Sequence, residues 1–149
     1  MLEQASNHLA QFPEAKRIQL QHADVLDTPL HNASVVIMNY TLQFIPIEER
    51  EGLLKRIREA MMPGDVLILS EKLTLPDPRL NEYLIDLHHD FKRQQGYSDL
   101  EIAQKRDAIE NVLIPETAET HTQRLKSAGF SRCSIWFQCL NFASFIAIA

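Results

Sequence analysis

Asn39 has a side chain with both hydrogen-bond donors and an acceptor, and it stands directly after the apolar run Val35-Val36-Ile37-Met38. Such a run reads as a buried strand covered on both faces, and open α/β sheets bind ligands outside the carboxyl ends of their strands. Asn39 is therefore a candidate ligand contact. Asp24 lies in the polar loop Ala23-Asp24-Val25-Leu26-Asp27, after Arg17 to His22, whose alternation reads as another strand. Its carboxylate could accept a hydrogen bond from an exocyclic amine, or it could simply serve as a turn residue, as Asp often does. Glu71 closes a second apolar run, Val66-Leu67-Ile68-Leu69, after Ser70. A carboxylate there either faces the same site or caps a neighbouring helix.

His88-His89-Asp90 suggests a metal, but the spacing argues against one. Neighbours on a helix point about 100° apart, so two adjacent histidines do not converge as an i, i+4 pair does. No metal is expected. Asp86, His89, Asp90 and Arg93 would instead line one polar face of a helix, as a solvated or dimer-facing stripe or on the substrate side. Arg106 falls in the polar run Gln104-Lys105-Arg106-Asp107, which by residue type alone is an exposed helical face. Cys133 and Cys139 lie in predicted strands without a metal-ligand pattern and read as reduced thiols.

These residues need elements to hold them. Leu2, Ala5, Leu9 and Phe12 recur at helical spacing until Pro13. Pro46 and Glu48-Glu49 suit the first turn of a helix whose stripe is Leu53, Leu54, Ile57, Ala60 and Met61, ending at Pro63-Gly64. The order strand, helix, strand predicts parallel pairing of 35–38 with 66–69. After Pro76 and Pro78, the spacing of Leu80, Tyr83, Leu84, Leu87 and Phe91 predicts a long amphipathic helix stopped by Gly96, and Ser98 with Glu101 forms a capping box for the next. These two helices break the strand alternation. They read as an insertion, about 76–112, over the carboxyl edge of the sheet, where lids occur. A helix from Thr117 to Ala128 ends at Gly129, and Phe130 to Gln138 and Phe142 to Ile148 form a closing antiparallel pair.

The 149 residues allow one domain, and 45% hydrophobic with 23% charged residues is an ordinary globular balance. A formal charge of −5 without a basic stripe argues against direct nucleic-acid binding. The apolar run near 142–149 is too short to cross a bilayer and the start lacks signal-peptide order, so a cytoplasmic protein without membrane association is expected.

Several segments together resemble the carboxy-S-adenosylmethionine synthase family. They are Ala23-Asp24-Val25, Asn39-Tyr40-Thr41-Leu42-Gln43-Phe44, Leu69-Ser70-Glu71-Lys72, His88-His89-Asp90-Phe91-Lys92-Arg93 and Trp136-Phe137-Gln138-Cys139. Further matches fall at Gly96-Tyr97-Ser98, Gln104-Lys105-Arg106 and Glu110-Asn111-Val112. The resemblance implies an α/β fold, the carboxy-terminal portion of a Rossmann-like class I methyltransferase: a mostly parallel sheet with a final antiparallel strand and an inserted helical lid. It further implies a homodimer that converts S-adenosyl-L-methionine and prephenate into carboxy-S-adenosyl-L-methionine and phenylpyruvate. Prephenate loses carbon dioxide, and the carboxyl group is captured on the sulfonium methyl carbon. A partner tRNA carboxymethyltransferase then spends the product on a wobble uridine, so this protein itself handles no tRNA.

Within that resemblance Arg106 takes the carboxylate-binding position, suited to its planar two-pronged guanidinium, on its own subunit or its neighbour's. Asp24 and Val25 match the adenine-side loop, and Asn39 matches a ligand contact at a strand end. The family's Gly-rich first loop and ribose-binding acid have no counterpart here, since the only glycines are Gly52, Gly64, Gly96 and Gly129. A partial domain spanning 1–149 is therefore expected to be inactive or severely impaired alone, with an exposed sheet edge. Two alternatives are a fragment of a generic S-adenosylmethionine-dependent methyltransferase and a non-catalytic dimerisation remnant.

Overall fold

The computed structural model describes all residues except Asn111, and Glu110 by its backbone alone. The Glu110-Asn111-Val112 match thus lies largely outside the described residues. After a first helix, α1 (Leu2–Leu9), the two apolar runs become β1 (Val35–Asn39) and β2 (Val66–Lys72), parallel and in register from Val35 opposite Val66 to Asn39 opposite Ser70. Both strands therefore deliver their carboxyl ends to the same edge. The helix between them, α2 (Ile47–Glu59), carries Glu48 and Glu49 in its first turn and buries Leu53, Leu54 and Ile57. Each such burial contributes about 1.5–3 kcal/mol.

The closing pair is β3 (Arg132–Cys139) and β4 (Phe142–Ile148), antiparallel as the alternation predicts. β4 also pairs antiparallel with β2, giving the order β1-β2-β4-β3. In this register Met38, Leu69 and Phe145 point to one face, as do Leu67 and Ala147, and they form one core with α2 and with Leu125 of α5 (Ala118–Ser127). The Thr117 hydroxyl accepts from the Thr120 N–H at 3.1 Å to start α5, and Gly129, at φ +96°, ends it in a conformation that strains any side chain.

Two expectations need correcting. Arg17 closes a 3-10 turn, Pro13–Arg17, and residues 18–24 form no strand. The alternation is present, but no neighbouring strand among the described residues accepts its ladder, and Ile18 and Leu20 remain over 40% exposed. β1 is covered on one face only. Val35 is 59% and Ile37 63% exposed, because α2 and α5 pack on the opposite side of the sheet and β1 is an edge strand. The apolar stripe of α3 (Pro78–Gln94) faces largely outward: Leu80, Tyr83 and Phe91 are each more than half exposed.

His121 on α5 is buried against Phe145, ring centroids 5.5 Å apart, with both ring nitrogens unpartnered. Burial pushes its pKa down to about 4 from 6.5. The unfolded chain therefore takes up this proton first as pH falls, and stability drains away between about pH 6.5 and 4. His121→Leu removes that loss. In urea titrations its stability relative to the parent is expected to rise by about 2 kcal/mol between pH 7 and pH 4.5. A pH-independent difference would contradict this.

Candidate functional site

At the carboxyl end of β1 the chain reverses at Tyr40, which has φ 52°, and its N–H donates to the Ser70 carbonyl at 2.7 Å. A short 3-10 turn, Leu42–Phe44, follows. Its leading N–H groups would be orphaned, and Glu71 at the end of β2 accepts them from Leu42 at 2.9 Å and Gln43 at 3.1 Å. Glu71 is the buried cap that its position allowed. Burial pushes its carboxyl up to about 7, against the opposing pull of those N–H groups and of the Arg50 charge. The Gln43 amide oxygen returns the tie by accepting from the Lys72 N–H at 3.1 Å.

Arg50 of α2 anchors this edge from below. Fully buried, it donates to the carbonyls of Ile45 (2.9 Å), Gln43 (3.2 Å) and Ile114 (3.0 Å) and pairs with Glu116. Arg124 of α5 takes the same carboxylate through both prongs, at 2.7 and 2.5 Å. The segment after the second inserted helix is thereby fixed to the sheet's carboxyl edge.

Above that edge lies a cavity of about 1080 Å³, bounded by the strand ends, α3 and α4 (Asp99–Glu110). Asp77 caps α3 by accepting from Arg79 and Leu80, and Ser98 and Glu101 cap α4 reciprocally. Arg93 joins the two helices through Asp90 at 2.6 Å and Asp99 at 2.8 Å. Asp90 and Arg93 are therefore a surface clasp. His88 and His89 line the cavity instead, together with Asp86. The inward face of α3 is thus its polar one.

The cavity has two characters. Its wall is aromatic: Phe142 lies 4.9 Å from His88 and 5.9 Å from Tyr40, both edge-on. Among the described side chains its charge is cationic, with Lys72 from β2, Lys92 from α3, and Lys105 and Arg106 from α4, against Glu82 and Asp86. His88 is held near pKa 4, first by burial and then by Lys92, Lys72, His89 and Lys105, so it is neutral at physiological pH. Burial and the neighbouring Lys105 push the Lys92 ammonium down as well.

Of the residues singled out in the sequence, Arg106 lines this cavity, and Asn39 sits at the end of β1 beside Tyr40, which lines it. Asp24 and Val25 do not line it. The Asp24 carboxylate accepts from the Leu26 N–H at 2.9 Å, closing its own turn, and Val25 packs against the core. Lys72, Lys92 and Lys105 drew no separate attention in the sequence, although the i, i+4 spacing of His88 and Lys92 puts both on one face. Among the described residues no three His, Cys, Asp or Glu side chains converge on a metal-sized site. No helix of the described residues is long and apolar enough to cross a membrane.

The chain matches curated proteins named carboxy-S-adenosyl-L-methionine synthase. It is 53% identical to the one from Hahella chejuensis and 55% identical to the one from Pseudomonas putida, over 99% of its own length in each case. It spans only 60–62% of those relatives. No family model matches it. Among solved structures, a putative O-methyltransferase from Nostoc punctiforme superposes with a TM-score of 0.67 at 15% identity, covering 99% of this chain and 41% of that one. Human N-acetylserotonin methyltransferase in complex with SAM superposes with a TM-score of 0.60 at 18% identity, over 89% of this chain and 34% of that one. The fold is the class I methyltransferase fold, and this chain makes up part of it.

Proposed function

We propose that these residues form the carboxylate-binding side of a carboxy-S-adenosyl-L-methionine synthase, which joins S-adenosyl-L-methionine with prephenate and releases phenylpyruvate. One observation carries the reading: Arg106 and three lysines meet over an aromatic wall at the strand carboxyl ends, in a chain more than half identical to proteins of that name. In this role Arg106 holds the carboxylate being transferred through two parallel hydrogen bonds. The α3 and α4 helices hold it at the rim of the cavity, above the strand ends. S-adenosyl-L-methionine itself supplies the methyl carbon that accepts the carboxyl group.

The residues present suit only part of that substrate. Gly64, Gly96 and Gly129 all have φ above +90° in turns after a helix, and Gly52 lies within α2. None follows a strand to form the close-approach turn that a methionine portion needs. The 149 residues by themselves are thus proposed to be severely impaired.

A homodimer accompanies this proposal, supported by the outward apolar stripe of α3. That stripe also favours a second reading, a non-catalytic interaction module. The product would go to a downstream tRNA carboxymethyltransferase in the cytoplasm, with no tRNA bound here. Product mass tests the proposal. The chain is joined to the segment of the Hahella chejuensis relative that lies outside the match and is supplied with both substrates. A carboxylated sulfonium product supports the proposal; a methylated acceptor or no product overturns it.

A further inference from the structure

Three consecutive residues at the end of β2 hold one turn. The Ser70 carbonyl accepts from the Tyr40 N–H at 2.7 Å, the Glu71 carboxylate accepts from those of Leu42 and Gln43 at 2.9 and 3.1 Å, and the Lys72 N–H donates to the Gln43 side chain at 3.1 Å. The turn needs such holding. Tyr40 sits at φ 52°, a left-handed conformation that a residue with a Cβ keeps only when its surroundings impose it. Tyr40 and Phe44, which line the cavity, flank the two N–H groups that Glu71 takes, whereas Glu71 itself is fully buried and does not line it. The hold extends further, because the Gln43 carbonyl accepts from the Ile114 N–H at 3.0 Å, between the cavity-lining Leu113 and Pro115. One carboxylate thus lies beneath two walls.

Of the described groups that hold the turn, Ser70 and Lys72 act through their backbones, and Arg50, which donates to the Gln43 carbonyl, carries a guanidinium that does not give up its charge. Glu71 is the one that can change. The β1 and β4 strands beside it and the turn itself carry no titratable side chain, and the charge that reaches it is that of Arg50 on α2, backed by Glu116 and Arg124. We infer that Glu71 is the positioning residue of the aromatic wall: as a carboxylate it holds Tyr40 and Phe44 against the cavity, and on taking up a proton it releases them. Both oxygens of a carboxylate accept, but a proton turns one of them into a donor, so one buried N–H of the turn loses its charge-assisted partner. Burial already pushes this carboxyl up to about 7, which puts the exchange near neutrality. Because that lies above the ordinary 4.5, uptake of this proton stabilises the fold as pH falls from about 7 to 4.5, and release of the turn is not unfolding. The inference rests on the proposed function only for the identity of what the cavity binds.

An NMR titration of the isotopically labelled 149-residue chain tests this without any substrate. The Glu71 carboxyl carbon, the Leu42 and Gln43 amide protons and the Tyr40 and Phe44 ring signals are expected to move together, with one midpoint near pH 7. His88, on the facing wall, is neutral across this range and adds no step. Glu71→Gln keeps the shape of the side chain but turns an amide donor toward the turn at every pH, so the shared step is expected to vanish and the rings to stay at the shifts the parent reaches in acid. A Glu71 that remains ionised in acid, or rings that stay still while the amides move, would overturn the inference. If Glu71→Gln fails to fold, the parent titration decides by the same two outcomes. In the chain joined to the unmatched segment of its Hahella chejuensis relative, KM for prephenate is expected to rise about tenfold from about pH 8 to about pH 6 as the ionised fraction falls, and in Glu71→Gln to be high and level over that range. A parent KM indifferent to pH in a joined protein that forms product overturns the inference alone. A shared NMR step without carboxylated product sinks only the proposed function.

Discussion

Arg106→Leu is expected to lower carboxylated product by about 100-fold or more in a complete enzyme containing these residues, a loss typical when a charged donor to the reacting group is removed. Leucine keeps the helical propensity of α4, so circular dichroism should be unchanged. Arg106→Lys separates charge from geometry. It retains the cation but not the paired hydrogen bonds, and is expected to fall between the parent and the leucine variant. Lys105 next door does not replace Arg106, because consecutive helical residues leave the helix in different directions. Unchanged product in Arg106→Leu would end the assignment of this residue.

The second large effect is on stability. Arg50→Met is expected to destabilise the chain by about 3–5 kcal/mol, the usual cost of leaving buried partners of a charge unmatched. Three carbonyls, those of Ile45, Gln43 and Ile114, lose their donor, and Glu116 keeps only Arg124. A typical domain has only about 5–15 kcal/mol in all, so urea denaturation will show a large displacement of the midpoint. The same substitution frees the turn over Leu42 to Phe44 and the 113–116 segment, so anion affinity should fall with it. A change below about 1 kcal/mol would show that the network is dispensable.

Much of the fold could be read from the sequence because period and caps agree. Leu53, Leu54 and Ile57 point to one side of a helix whatever surrounds them, and Ser98 with Glu101 caps locally. The readings that failed depended on neighbours. Arg17 to His22 has the period of a strand, but a strand also needs an edge to pair with, and the described residues offer it none. Val35 and Ile37 look like residues of a doubly covered strand, yet their cover is a property of the whole sheet and not of the run. For α3 the pattern identified the helix but not its orientation, since an amphipathic helix can turn either face inward. That is why His88 and His89 were ambiguous. Lys92 and Lys105 were illegible for a related reason: a lysine on a helix is ordinarily solvated, and only the convergence of α3, α4 and β2 makes these three-dimensional neighbours. Glu71 was legible as an alternative. A carboxylate at a strand end beside a turn has either a ligand or orphaned N–H groups to satisfy, and here it has the latter.

The central claim is that these 149 residues supply the carboxylate side of a site that makes carboxy-S-adenosyl-L-methionine. It is tested most directly by mass spectrometry of the small-molecule products formed from S-adenosyl-L-methionine and prephenate. The chain is assayed alone and joined to the unmatched segment of its Hahella chejuensis relative. The expected result is a carboxylated sulfonium, with phenylpyruvate in equal amount, from the joined protein and little or none from the chain alone. A well-folded joined protein that binds both substrates yet forms no carboxylated product would contradict the claim.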